Sequence, residues 1–282
     1  MMLKVKINGK TYEAEKGEFI LDLCRRNRIL VPTLCHHEGL SGLGACRLCV
    51  VEVNEGKRNQ VVVSCVYPLS RDCEVLTESE KIKNIRRTIL SMLKTRAPAG
   101  DRLASLCQIY GVGDEPRFTA PIRAKTVSGE KRMSEACVLC GLCAQACASL
   151  GTGAISTVGR GVTKEISTPY GEPSADCVGC GSCASVCPTK AIECSEGKNS
   201  RTIWGKKFKL LRCASCGVVI GTEEEYALAQ KKAAPEQSGG EAAAGNADGT
   251  PAVASGSVLC DTCRRKKSAD VMAAAFGERK RK

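Results

Sequence analysis

Two copies of one cysteine pattern, CVLCGLCAQAC at 137–147 and CVGCGSCASVC at 177–187, lie 40 residues apart in a chain of 282. Each reads C-x2-C-x2-C-x3-C, and two in-phase copies do not arise by chance. Such short spacing lets several thiolates converge on one metal centre, which a packed apolar core does not require. The chain holds 20 cysteines while aromatic residues make up only 4% of it, so bonds to metal must supply part of what large side chains usually provide.

So many cysteines fit either a disulfide framework in a secreted protein or metal thiolates in a reducing compartment. The N-terminal MMLKVKINGKTYEAE alternates polar and apolar residues and has no apolar core of a secretory signal. No run approaches the roughly 18 apolar residues of a membrane span. The expectation is a cytoplasmic metalloprotein without a span. The formal charge of +12 counts every thiol as neutral. A dipositive core on four thiolates nets minus two, so four such sites lower it to about +4 and remove most of the case for nucleic acid.

The repeated run resembles that of two-cluster bacterial ferredoxins, in which the fourth cysteine of each run ligates the other cluster. That resemblance implies one 4Fe-4S cluster on Cys137, Cys140, Cys143 and Cys187, and a second on Cys177, Cys180, Cys183 and Cys147. Pro188 follows the second run, whereas Ala148 replaces the proline after the first and leaves that loop less constrained.

Residues 1–77 read as a compact, mostly β unit. Leu3, Val5 and Ile7 alternate, Asn8-Gly9 suits a tight hairpin turn, and Tyr12 and Ala14 continue the alternation. Ile20, Leu23 and Cys24 then mark a helix that Pro32 does not allow to continue, and 47–53 and 60–65 read as further strands. Cys35, Cys46, Cys49 and Cys65 give C-x10-C-x2-C-x15-C, with Gly42 and Gly44 letting the backbone approach an inorganic core. A zinc knuckle, or four core cysteines, is the plainer alternative. His36 and His37, the two histidines of the chain, read as loop residues at the cluster edge. The stretches PTLCHHEGLSGLGACRLCVVEV and SCVYPLSRDCEVLT resemble the N-terminal 2Fe-2S domain of the large iron–sulfur subunit of respiratory complex I and of NAD-linked hydrogenases. The implied fold is a β-grasp ferredoxin domain holding one 2Fe-2S cluster.

From Glu78 to about Lys94 a helix is expected, with Ile82, Ile85, Ile89, Met92 and Leu93 on its apolar face and basic residues elsewhere. The relatives follow this helix with one histidine and three cysteines that bind another 4Fe-4S cluster. Here Cys107 is the sole cysteine between 74 and 136, and no histidine follows residue 37, so that site is absent. Ala97–Gly100 reads as a turn and 102–110 as a short helix that buries Cys107. Cys24, Cys73, Cys107 and Cys194 are left as reduced structural thiols.

Cys213, Cys216, Cys260 and Cys263 form two C-x2-C knuckles able to close a tetrahedral site of four thiolates, for zinc or a further 4Fe-4S cluster. Between them, 231–257 is rich in alanine, glycine and small polar residues and is expected to be disordered. A basic tail follows. The chain therefore reads as α+β in four parts: a 2Fe-2S domain at 1–77, a helical linker at 78–132, a two-cluster ferredoxin domain at 133–200, and a small four-cysteine metal ribbon within 201–282.

Neither a dinucleotide fingerprint nor a P-loop is present. The resemblance implies a non-catalytic electron-transfer subunit of a hetero-oligomer. It would pass electrons between a flavin-containing NAD(P)H dehydrogenase subunit and a terminal partner: a hydrogenase, a formate dehydrogenase, a transhydrogenase or a ferredoxin. Such complexes include those that perform flavin-based electron bifurcation. The alternatives are a stand-alone Fe–S oxidoreductase, as in iron-only hydrogenases with a similar N-terminal arrangement, and a redox-responsive regulator with a zinc ribbon.

Overall fold

The hairpin written by Asn8-Gly9 forms as the alternation requires. Strands β1 (Met2–Ile7) and β2 (Lys10–Glu15) pair antiparallel, and both turn residues take positive φ. Leu3, Val5, Ile7 and Ala14 face inward and are buried. In the computed structural model, residues 2–56, 58–113, 135–233 and 258–269 are described.

Helix α1 (Ile20–Arg26) packs Ile20, Leu23 and Cys24 against those strands. Strands β3 (Val50–Asn54), β4 (Asn59–Val63) and β5 (Cys73–Leu76) complete a five-stranded mixed sheet in the order β2-β1-β5-β3-β4. β5 runs parallel to β1 and antiparallel to β3, which makes it the central strand. This helix packed on a mixed sheet is the expected ferredoxin-like arrangement.

Helix α2 (Glu80–Arg96) begins at Ser79, whose hydroxyl accepts from the Ile82 N–H and also bonds Glu52. Its buried positions are Ile82, Arg86 and Leu90. The inward stripe thus agrees in part with the expected one: Ile82 is buried and Ile89 and Leu93 pack against an apolar core, whereas Ile85 and Met92 line an open groove with Lys81, Asn84 and Thr88, and Met92 is exposed. Arg86 turns inward because the carbonyl ends of the cysteine-bearing loop need donors there. After a turn at Pro98, α3 (Asp101–Ile109) buries Leu103 and Cys107.

Helix α4 (Leu142–Ser149) opens at Gly141 in the first repeated run, and the short α5 (Ser182–Ser185) sits at the matching place in the second. Between the runs, β6 (Ser156–Val158) and β7 (Glu165–Ser167) form a two-stranded hairpin. A four-stranded antiparallel sheet follows, in the order β11-β10-β9-β8, from β8 (Cys194–Glu196), β9 (Ser200–Ile203), β10 (Lys206–Arg212) and β11 (Val219–Thr222). It leads into α6 (Glu223–Ala233). Helix α6 thus extends three residues into the stretch expected to lack structure, while 234–257 and the basic tail from 270 lie outside the described residues.

Contacts gather the chain into two units, one of Met1–Gly171 with Ser182–Glu193 and the other of Glu172–Gly181 with Cys194–Lys282. Among the described residues, no helix is long and apolar enough to cross a membrane.

Candidate metal centres

In the first unit, Cys35, Cys46 and Cys49 come from loops and Cys65 from a 3-10 turn at Ser64–Val66; the four come together and are each at most 6% exposed. The Cys46 N–H donates to Cys35 Sγ at 3.3 Å, and the Leu34 N–H to Cys46 Sγ at 3.4 Å. Main-chain donors aimed at sulfur favour thiolate over thiol. Hydrogen bonds from the Cys46 and Cys65 thiols draw the Cys35 pKa down to about 2, and one from Cys65 draws Cys49 to about 6. Cys46 and Cys65 are pushed up by giving those hydrogen bonds. Four buried thiols held this closely cannot all ionise without added positive charge, so the donor set fits a cationic cluster.

The local backbone explains the glycines. A Cβ on Gly42 would lie 2.8 Å from the Cys65 carbonyl, and Gly44 has φ +59°. Arg86 closes the site from behind and is fully buried. It donates to Leu48 O at 3.0 Å and Val50 O at 2.9 Å, the carbonyls on either side of Cys49. Its remaining nitrogen meets Glu78 and the Tyr110 hydroxyl. Sequence reasoning missed this residue, since an arginine in a basic helix reads as solvated. His36 is engaged instead by Arg25, at 2.8 Å from Nδ1, and by Asp22.

The first repeated run stands in the same unit. Burial raises Cys140 to about 11 and Cys143 to about 12, and raises Cys137 as well. Cys187 bears electrostatically on all three, so the four sulfurs named for one cluster are neighbours. Buried thiols that repel one another as thiolates again fit a cationic centre. One apolar core contains Cys35 and Cys46 of the first site together with Val138, Cys140 and Leu142 of this run. Leu90, Ala97, Leu103 and Cys107 fill it. Cys35 lies close enough to Cys140 to raise its pKa, and Gln145 donates to Ser41 O at 3.0 Å.

Cys147, with its sulfur 3.1 Å from Thr152 Oγ1, and Cys183 also belong to the first unit, whereas Cys177 and Cys180 belong to the second. The two runs share backbone shape: Leu139 and Gly179 both take positive φ, as do Gly141 and Gly181.

In the second unit, Cys213, Cys216, Cys260 and Cys263 place their sulfurs within 4.8 Å of one another. Cys213 directly follows β10, and Cys216 lies in the turn before β11. The Cys260 N–H donates to Cys213 Sγ at 3.3 Å, and this with the Cys216 N–H lowers the Cys213 pKa to about 6. Four such sulfurs fit one tetrahedral ion. Of the remaining cysteines, Cys24 is buried and pushed up to about 12 by burial, Cys107 is buried, and Cys194 is exposed.

Comparison with known proteins assigns iron–sulfur binding domains to two of these stretches. Residues 1–80 match the family described as a 2Fe-2S iron-sulfur cluster binding domain, and residues 136–191 the family described as a 4Fe-4S dicluster domain. The chain resembles iron–sulfur subunits of NAD(P)-linked oxidoreductases. It is 34% identical to the NADP-reducing hydrogenase subunit HndD of Solidesulfovibrio fructosivorans, over 68% of this chain and 36% of that one. It is 32% identical to the NADH-ubiquinone oxidoreductase 75 kDa subunit of Reclinomonas americana, over 59% and 26% respectively. A chain in the crystal structure of an NAD+-reducing [NiFe]-hydrogenase in the H2-reduced state superposes with a TM-score of 0.56 at 25% identity. That match covers 67% of this chain and 86% of the other. The chain spans only about a quarter to a third of the length of the curated relatives it matches.

Proposed function

We propose that this chain is an electron-transfer subunit of an NAD(P)-linked oxidoreductase complex. Cys35, Cys46, Cys49 and Cys65 would hold a 2Fe-2S cluster. Cys137, Cys140, Cys143 and Cys187 would hold one 4Fe-4S cluster, and Cys177, Cys180 and Cys183 with Cys147 a second. Cys213, Cys216, Cys260 and Cys263 would hold zinc as a structural tie. When bound, iron–sulfur clusters take up and release single electrons, which lets two-electron hydride chemistry at a partner's flavin be divided into one-electron steps.

The observation that carries this reading is the shared core. Cys35 and Cys46 are packed into one apolar cluster with Cys140, and Leu90, Ala97, Leu103 and Cys107 complete that cluster. The cysteines anchor the two centres, the apolar side chains keep water out, and Arg86 brings a buried positive charge to the Cys49 loop. On this reading electrons pass directly between the two centres, or the two ends of the chain serve different routes. The partners of this reading are a flavin-containing NAD(P)H dehydrogenase subunit on one side and a hydrogenase, formate dehydrogenase, transhydrogenase or ferredoxin on the other, in a cytoplasmic hetero-oligomer of a class that includes electron-bifurcating complexes.

Anaerobic purification with metal analysis and EPR tests it. About ten irons and one zinc per chain are expected, from one 2Fe-2S cluster, two 4Fe-4S clusters and the four-cysteine site. About fourteen irons without zinc would make the last site a cluster as well. Co-purification with a flavoprotein is expected; a flavin-free chain that turns over hydrogen alone would overturn the assignment.

A further inference from the structure

Five carbonyls in the loop that carries Cys177 and Cys180 are taken by side chains of the sheet that follows it, all within the second unit. Arg201 on β9 donates from Nη1 to Gly179 O at 2.9 Å and to Cys180 O at 3.0 Å. Lys206, opening β10, donates to Cys177 O at 3.1 Å and reaches Ala175 O at 3.5 Å. The Thr222 hydroxyl on β11 bonds Val178 O. Gly179 has φ +67°, and a Cβ there would run into the ring of Phe208, which is 1% exposed. Lys206 Nζ lies 4.9 Å from the centre of that same ring. Glu196 holds Arg201 in place at 2.8 Å, leaving the arginine side chain 14% exposed.

A trans peptide directs its carbonyl and the next N–H in opposite directions. Tying the carbonyls of Cys177, Val178, Gly179 and Cys180 toward the sheet therefore turns the N–H groups of Val178, Gly179, Cys180 and Gly181 the other way, free to act as donors. Two cations also stand directly behind the ligand loop, the arginine offset in part by Glu196 and little screened by water. Reduction of a cluster adds one negative charge, which nearby cations and N–H donors favour.

We propose that Arg201 and Lys206 are positioning residues for the second 4Fe-4S cluster, which fix its ligand loop through the carbonyls and raise its reduction potential. The inference rests on the reading that the second run holds a 4Fe-4S cluster. It makes the C-terminal sheet part of an electron-transfer centre rather than an appendage.

EPR-monitored redox titration of the full chain tests it, on R201Q, R201K, K206M and E196Q beside the parent protein. R201Q and K206M are each expected to make reduction of the second cluster about tenfold less favourable, a fall of about 59 mV for one electron. R201K, which keeps the charge, is expected to retain most of the parent potential. E196Q, which removes the counter-charge, is expected to shift it upward. The 2Fe-2S cluster and the first 4Fe-4S cluster are expected to stay put. Unchanged potentials in R201Q and K206M, or equal shifts in all three clusters, would overturn the proposal. If R201Q sheds the second cluster, K206M and E196Q decide by the sign of their shifts. Loss of that cluster in every variant would reduce these residues to scaffolding and sink the proposal. A parent protein with too little iron for two 4Fe-4S clusters would instead refute the reading beneath it.

Discussion

At the scale of single residues, Arg86 and Gly179 show how the cysteine loops are held. Arg86 spends its donors on two carbonyls flanking Cys49, on Glu78 and on the Tyr110 hydroxyl. Replacing it with methionine strands the carbonyls of Leu48 and Val50 in a dry interior, at a cost of about 1–3 kcal/mol for each buried group left unpaired. R86M is expected to lower the temperature at which the visible CD of the 2Fe-2S site is lost, while the second 4Fe-4S signal persists to the parent temperature. Gly179 answers to a different constraint, because its φ is positive and the Phe208 ring occupies the place of a side chain. G179A is expected to cost the second cluster and reduce iron from about ten to about six per chain. The equivalent change in the first run, L139A, is expected to leave the iron count unchanged, since that position already carries a side chain at positive φ.

At the scale of elements, the four-cysteine site closes one end of the β10–β11 pair, with Cys213 after one strand and Cys216 before the other. C213S is expected to abolish metal binding at this site, zinc on the reading proposed above, and to speed amide hydrogen exchange in β10 and β11, while β1–β5, in the other unit, exchange at their former rate. Equal exchange in parent and variant would show that the sheet stands without the ion. The elements were unevenly legible in the sequence. Asn8-Gly9 and the alternation around it specify the first hairpin through local rules that need no tertiary context. Helix α2 was legible as a helix but only in part in its facing: Ile82, Ile89 and Leu93 of the expected face meet the core, whereas Ile85 and Met92 do not and Arg86 is turned inward to donate behind Cys49. The C-terminal sheet was overlooked, although KFKLL alternates and buries Phe208 and Leu210. Its partner strands are only three or four residues long, too short for alternation to show in the sequence. The candidate ligands were the most legible feature, because cysteine spacing survives without knowledge of packing. What secures those loops was not, since Arg86, Arg201 and Lys206 act across 22 to 38 residues of sequence.

For the whole molecule, the core shared by the first site and the first repeated run matters most. Cys107 sits inside it, 2% exposed. C107W would overpack it at a cost of about 1–3 kcal/mol. The expected outcome is altered EPR line shapes for both the 2Fe-2S cluster and the first 4Fe-4S cluster, with the second unaffected; a change confined to one of the pair would contradict the shared packing. The same feature bears on how the protein is matured. A newly made chain offers its cellular assembly machinery two sets of thiols that open onto one interior, not two separate receptacles. The centre filled first shapes a wall of the other, so loading of the two is expected to be cooperative, and loss of one is expected to loosen its neighbour.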